Sequence, residues 1–165
     1  MQWVRFAIVV LATAFIQGSS IPQWIALTRF DISPDFLLIL LVYFAIFCEG
    51  PTAIIASFTL GLAADLTYHT LGPYLLSFGL CGSLLHILRT VVTVRRTLHT
   101  LAAVFLTGLA MGIMAKIIIY FRGGSEMYTL IKIFGISVYS AMLSPYIFAG
   151  LGMLSSWLGI KRHRN

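Results

Sequence analysis

The sequence predicts an all-α fold, a polytopic membrane bundle of about six transmembrane helices. Three observations predict it. Of 165 residues, 59% are hydrophobic and 10% charged, with a mean hydropathy of +0.97. The apolar residues fall into six runs separated by short polar or Gly/Pro-bearing turns. Three of these runs open on a proline that follows a capping residue. A soluble domain of this length cannot bury so much apolar surface. Bilayer hydrocarbon accommodates it, at about 20 mostly apolar residues per crossing. The chain therefore reads as a single integral membrane domain over residues 1–165, with no second soluble domain.

The first span is expected at about Trp3 to Ser20. Arg5 ahead of an apolar run, with Gly18-Ser19-Ser20 behind it, also has the outline of a secretory signal. Five further apolar segments follow, so a retained helix is the more economical reading. The second span is expected at Pro34 to Cys48 and the third at Pro51 to Leu66. Both are short for a crossing. Local thinning of the bilayer, packing inside a bundle, or a re-entrant hairpin would each accommodate them. The fourth span is expected at Pro73 to about Val92, the fifth at Thr97 to Phe121, and the sixth at about Tyr128 to Leu158.

Ser33-Pro34, Gly50-Pro51 and Gly72-Pro73 mark three successive helix starts. Proline suits the first helical position, where its missing N–H would have no partner anyway. Pro145 lies inside the sixth run instead. There it should kink the helix and free the carbonyl of Ala141.

The formal charge of +6 comes from eleven Lys and Arg against five Asp and Glu. In a membrane protein such an excess reports topology, and no nucleic-acid partner is expected from it. Six crossings put Arg5, Arg89, Arg95, Arg96, Lys161, Arg162 and Arg164 on one side. Arg29 and Arg122 lie on the other, with Lys116 and Lys132 about a turn inside their helices. Seven against two places both termini in the cytoplasm. The basic segment Arg89, Arg95, Arg96 would then meet anionic lipid or a cytoplasmic partner.

Catalytic signatures are missing. The chain has no Gly-x-Ser-x-Gly, no His-Glu-x-x-His and no phosphate-binding glycine loop. Ser83 and His86 share a face of the fourth run, yet a hydrolase also needs an oxyanion site and an orienting group. Helix-to-helix hydrogen bonding is the expected role. Cys48 and Cys81 lie in apolar runs without ligand spacing and read as small core residues. No enzyme activity, cofactor or metal is expected.

Four charged residues are the candidates for a partner-binding or polar cluster: Asp35, Asp65, Lys116 and Lys132, all directed to the external side by the six-span topology. Asp35 sits at a helix start, where a carboxylate meets exposed N–H groups. Asp65 sits at a helix end, where the dipole disfavours it, so water, a cation or a donor from a loop should compensate. The alternative for the lysines is snorkelling to the interface. Small residues mark close-packed faces at Gly61 (in Ser57-x-x-x-Gly61), at Gly108 and Gly112, and in Ala14-x-x-x-Gly18.

Pro34-Asp35 followed by Phe36-Leu37-Leu38-Ile39-Leu40-Leu41-Val42-Tyr43 resembles the start of the second helix of the MreD family of rod shape-determining membrane proteins. Gly61-Leu62-Ala63-Ala64-Asp65-Leu66 resembles that family's Gly-Leu-x-x-Asp-Leu, and Leu71-Gly72 the Leu-Gly that follows it. The resemblance covers Ile32 to Arg96, with a departure at Tyr68-His69-Thr70, where the family more often has a Ser/Gly-rich turn. It implies a bacterial inner-membrane component of the cell-elongation machinery that helps position peptidoglycan synthesis. It further implies MreC as a partner, with MreB, RodA and a class B penicillin-binding protein in the same assembly. The implied fold is similar to the substrate-binding components of energy-coupling-factor transporters. The alternative function is a small-solute-binding membrane subunit of such a transporter.

Overall fold

The computed structural model describes residues 2–19, 32–48, 50–68, 72–88, 97–122 and 130–154. The all-helical reading holds. The helices are α1 (Trp3–Gly18), α2 (Phe36–Phe47), α3 (Pro51–Thr67), α4 (Pro73–Leu88), α5 (Thr97–Phe121) and α6 (Leu130–Leu154). Arg89, Arg95 and Arg96 lie outside the described residues, as do Arg29, His69 and the C-terminal basic cluster.

Two of the three proline starts behave as expected. Gly50 caps α3 with φ 55°, a left-handed conformation that glycine adopts without a Cβ clash, and Pro51 takes the first helical position. Gly72 has φ 101° and Pro73 opens α4. The third start is corrected. Asp35, not Ser33, caps α2: its carboxylate accepts from Leu38 N at 3.1 Å, which leaves Pro34 ahead of the cap. A carboxylate binds an exposed helical N–H better than a hydroxyl two residues further back, which is out of reach.

Length separates the helices. Among the described residues only α5 (from Leu98) and α6 are long and apolar enough to cross a membrane by length and composition. Their 25 residues each extend about 37 Å, against a hydrocarbon core of roughly 30 Å. The 12 residues of α2 extend about 18 Å. Its nine consecutive residues Leu37 to Ala45 are all buried, so the helix has no outward face. Helix α2 contacts each of the other five helices. Around it run α1, α3, α4, α5 and α6 in that order, each packed on the next. Among the described residues α1 and α6 do not touch, so the ring stays open there.

The outer faces are apolar. Leu11 and Phe15 on α1, Phe121 on α5, and Tyr146 and Met153 on α6 are largely exposed. Exposed aliphatic and aromatic side chains on every peripheral helix fit a lipid environment, since a water-exposed patch of this extent would aggregate. In lipid the bundle gains little from hiding apolar groups, and close packing and buried hydrogen bonds must hold it instead.

Both features are present. A Cβ on Gly61 would lie 2.8 Å from Leu75 Cα and from the Tyr74 carbonyl O, so the absent side chain lets α3 and α4 meet backbone to backbone. Gly108 faces Leu38 and Ser137, and Gly112 faces Ile133, where α5 meets α2 and α6. These three glycines pack within the chain. His86 Nδ1 donates to the Ala45 carbonyl at 3.2 Å and ties α4 to α2, while Ser83 Oγ donates to Gly79 O of its own helix. The pair thus has separate partners. At Pro145 the carbonyl of Ala141 loses its helical donor, and Ser144 Oγ supplies one at 2.7 Å.

Candidate functional site

One end of the bundle holds both described buried carboxylates and the Gln17 amide. Chain alternation brings together the C-terminal ends of α1, α3 and α5 and the N-terminal ends of α2, α4 and α6. Two buried carboxylates organise this end, each on the N-terminus of a helix.

Asp65 is 3% exposed on the last turn of α3. Its Oδ2 accepts from Gly72 N and Leu75 N, each at 2.9 Å, and its Oδ1 accepts from Tyr74 N at 3.0 Å. The carboxylate is unfavourably placed on its own helix and favourably placed on the next. The first N–H groups of α4 have no helical acceptors, and the positive end of that helix faces the negative group. The compensating donor expected from a loop is therefore the Gly72–Leu75 start of α4. The run from Gly61 to Pro73 acquires one physical meaning. Gly61 admits the backbone of α4, Asp65 satisfies its first N–H groups, Gly72 makes the left-handed turn, and Pro73 needs no acceptor. Tyr68 and Tyr74 stack over this joint with ring centroids 4.9 Å apart.

Asp35 is 5% exposed. Besides its cap on Leu38, its backbone N donates to Ser140 Oγ at 2.9 Å, which sets the start of α2 level with the middle of α6. Gln17 completes the joint from α1. Its Oε1 accepts from Phe36 N at 3.1 Å, and its Nε2 donates to Tyr68 Oη at 3.1 Å and to Pro34 O at 3.3 Å. One amide thus links α1, the start of α2 and the end of α3. Sequence reasoning missed Gln17 and Ser140. The signal for Gln17 was present, an amide at the end of an otherwise apolar run.

The structure divides the expected four-residue cluster. Asp35, Lys116 and Lys132 line one cavity of about 360 Å³ at this end of the bundle. Asp65 is not among its lining residues, because its side chain turns to the start of α4. Among the described residues no group of His, Cys, Asp and Glu could hold a metal ion.

An all-helical chain with lipid-suited outer faces, long apolar helices and buried carboxylates on internal helix starts is a helical integral membrane protein. The family model of the rod shape-determining protein MreD matches residues 1–151. The chain belongs to the MreD family, whose members are shape-determining membrane proteins. No curated protein and no solved structure matches it.

Proposed function

We propose that the protein is a non-enzymatic inner-membrane scaffold of the cell-elongation complex, which binds MreC and helps position peptidoglycan synthesis. The observation that carries this reading is the family match over residues 1–151. Two structural features support it. Ser83 and His86, the nearest approach to a nucleophile and base in the sequence, each hold a backbone carbonyl and not one another. The polar joints at Asp35, Gln17 and Asp65 are completed within the chain, as expected of a device that fixes helix positions.

In this reading the bundle crosses the bilayer six times with both termini in the cytoplasm. The joint between α1, α2, α3 and α4 then lies at the periplasmic side. Partners dock on the apolar outer faces of peripheral helices, and the two acids act on docking through the shape they impose. Lys116 and Lys132 carry positive charge at the rim, and Arg89, Arg95 and Arg96 face anionic lipid or MreB. RodA and the class B penicillin-binding protein meet the same assembly. The likeness to energy-coupling-factor substrate-binding components is part of the same proposal.

The test is co-purification in mild detergent with tagged MreC, together with compartment-specific reporters on each terminus. Retention of MreC and two cytoplasmic termini support the scaffold. Termini on opposite sides, or no MreC retained by the folded protein, overturn it. A vitamin retained by the purified protein would favour the transporter-subunit alternative.

A further inference from the structure

The cavity beside Asp35 follows from unequal helix lengths. The Asp35 N to Ser140 Oγ hydrogen bond fixes the start of α2 level with residue 140 of α6. Helix α6 begins at Leu130, ten residues earlier, and so extends about 15 Å beyond the central helix. Helix α5 continues likewise from Gly108, which packs on Leu38 and Ser137, to Phe121. The peripheral helices surround a space that the central helix is too short to fill. Its volume of about 360 Å³ is at the small end of the range for ligand sites. It is far larger than the roughly 30 Å³ occupied by one water.

The lining sorts into two kinds. Met111, Ile133 and Ile136 supply an apolar wall. Lys116 and Lys132 line it from the two adjacent helices α5 and α6. Asp35 contributes one carboxylate, but its Oδ1 is already engaged by Leu38 N. Among the described residues Lys116 has no hydrogen-bond or ion-pair partner, although it is only partly exposed. Among the described lining residues two lysines stand beside one carboxylate, and Lys116 has all its donors to offer, so the wall suits an anion.

We propose that this cavity is a binding site for a small amphiphilic anion, an apolar body bearing one phosphate or carboxylate that Lys116 and Lys132 hold. The apolar body lies against Met111 and Ile136, and the anionic group bridges α5 and α6 at their outer ends. An occupant there links the two long helices to the central one. The proposal stands independently of the scaffold reading, because it concerns the chain alone. The same chemistry is available from a dissolved organic phosphate and from the head of an anionic lipid.

The probe is hexyl phosphate, with hexanol as its uncharged control. The full chain in maltoside micelles is unfolded thermally across a titration of each. Hexyl phosphate should raise the midpoint in a saturable way and hexanol should not. Replacing both lysines (Lys116→Gln with Lys132→Gln) should weaken the apparent affinity roughly ten-fold or more, as expected for loss of hydrogen bonds to a charged group. Ile136→Trp should abolish the response by filling the cavity while both lysines remain. Repeating the titration in phosphatidylcholine nanodiscs with and without phosphatidylglycerol identifies the source. Competition by phosphatidylglycerol assigns the site to a lipid head, and an undiminished response assigns it to a soluble anion. No response of the wild type, an equal response to hexanol, or an unchanged response in the lysine and tryptophan variants overturns the proposal.

Discussion

Asp65→Ala is the most informative perturbation, because the structure specifies what it removes. Three N–H groups of Gly72, Tyr74 and Leu75 lose their acceptor together. Loss of a helix cap typically costs about 1 kcal/mol, and each buried donor left without a partner costs roughly 1–3 kcal/mol. Fraying of the first turn of α4 would relieve part of this, so a loss of about 3 kcal/mol is expected. Asp65→Asn keeps one carbonyl oxygen but turns an NH₂ toward an N–H donor, and should lose about 2 kcal/mol. Asp35→Ala removes the acceptor of Leu38 N and the carboxylate that meets the Tyr68 hydroxyl, while the bond from its backbone to Ser140 is untouched. It should cost about 1 kcal/mol. The assay is unfolding of the purified variants in neutral detergent, with MreC retention measured on the fraction that remains folded. The expected order of stability is wild type, Asp35→Ala, Asp65→Asn, Asp65→Ala, with MreC retention per folded molecule unchanged. The reasoning fails if Asp65→Ala unfolds like wild type. It also fails if the folded variant loses MreC, because the carboxylate would then contribute to docking beyond holding the start of α4 in place.

Gly61→Val should destabilise the protein by about 2 kcal/mol or more, since its Cβ meets the backbone of α4, which cannot rotate away. Gly112→Ala should cost less, because its obstacle is the Ile133 side chain; unfolding midpoints check the order. Ser144→Ala should cost about 1 kcal/mol by leaving the Ala141 carbonyl without a donor. Adding Pro145→Ala should restore that loss, because an N–H returns at the position the carbonyl requires; a double-mutant cycle measures it. Gln17→Leu should cost about 2 kcal/mol through the lost acceptor of Phe36 N, and Gln17→Glu, which keeps that acceptor, should recover part of it in the same unfolding assay.

The helices and their beginnings were legible in the sequence because the signals are local. Gly50-Pro51 and Gly72-Pro73 act within one or two residues of the helices they start, and Asp35 caps a donor three residues on. The family resemblance was carried by the same residues, and the joint between α3 and α4 gives it a physical basis. The polar cluster was legible only in part. Asp65 was noticed because it stands at the wrong end of its helix, but its donors lie seven to ten residues away across a turn. Gln17 reaches partners 19 and 51 residues distant, and no spacing rule connects them.

The sequence alone determined that the chain is helical and suited to a bilayer, and where several of its helices start. It could not determine which helix is central, because in lipid the core and the outer surface both take apolar residues. The apolar run of α2 and the apolar runs of α5 and α6 differ little in composition, yet α2 is enclosed and the others are not. Tertiary packing decided that, and with it the cavity, which exists because a short helix is surrounded by long ones. It also decided the fate of the charges. Asp35 joined Lys116 and Lys132 at the cavity wall, while Asp65 turned away to the neighbouring helix, where unpaired N–H groups and a positive helix end hold a carboxylate best.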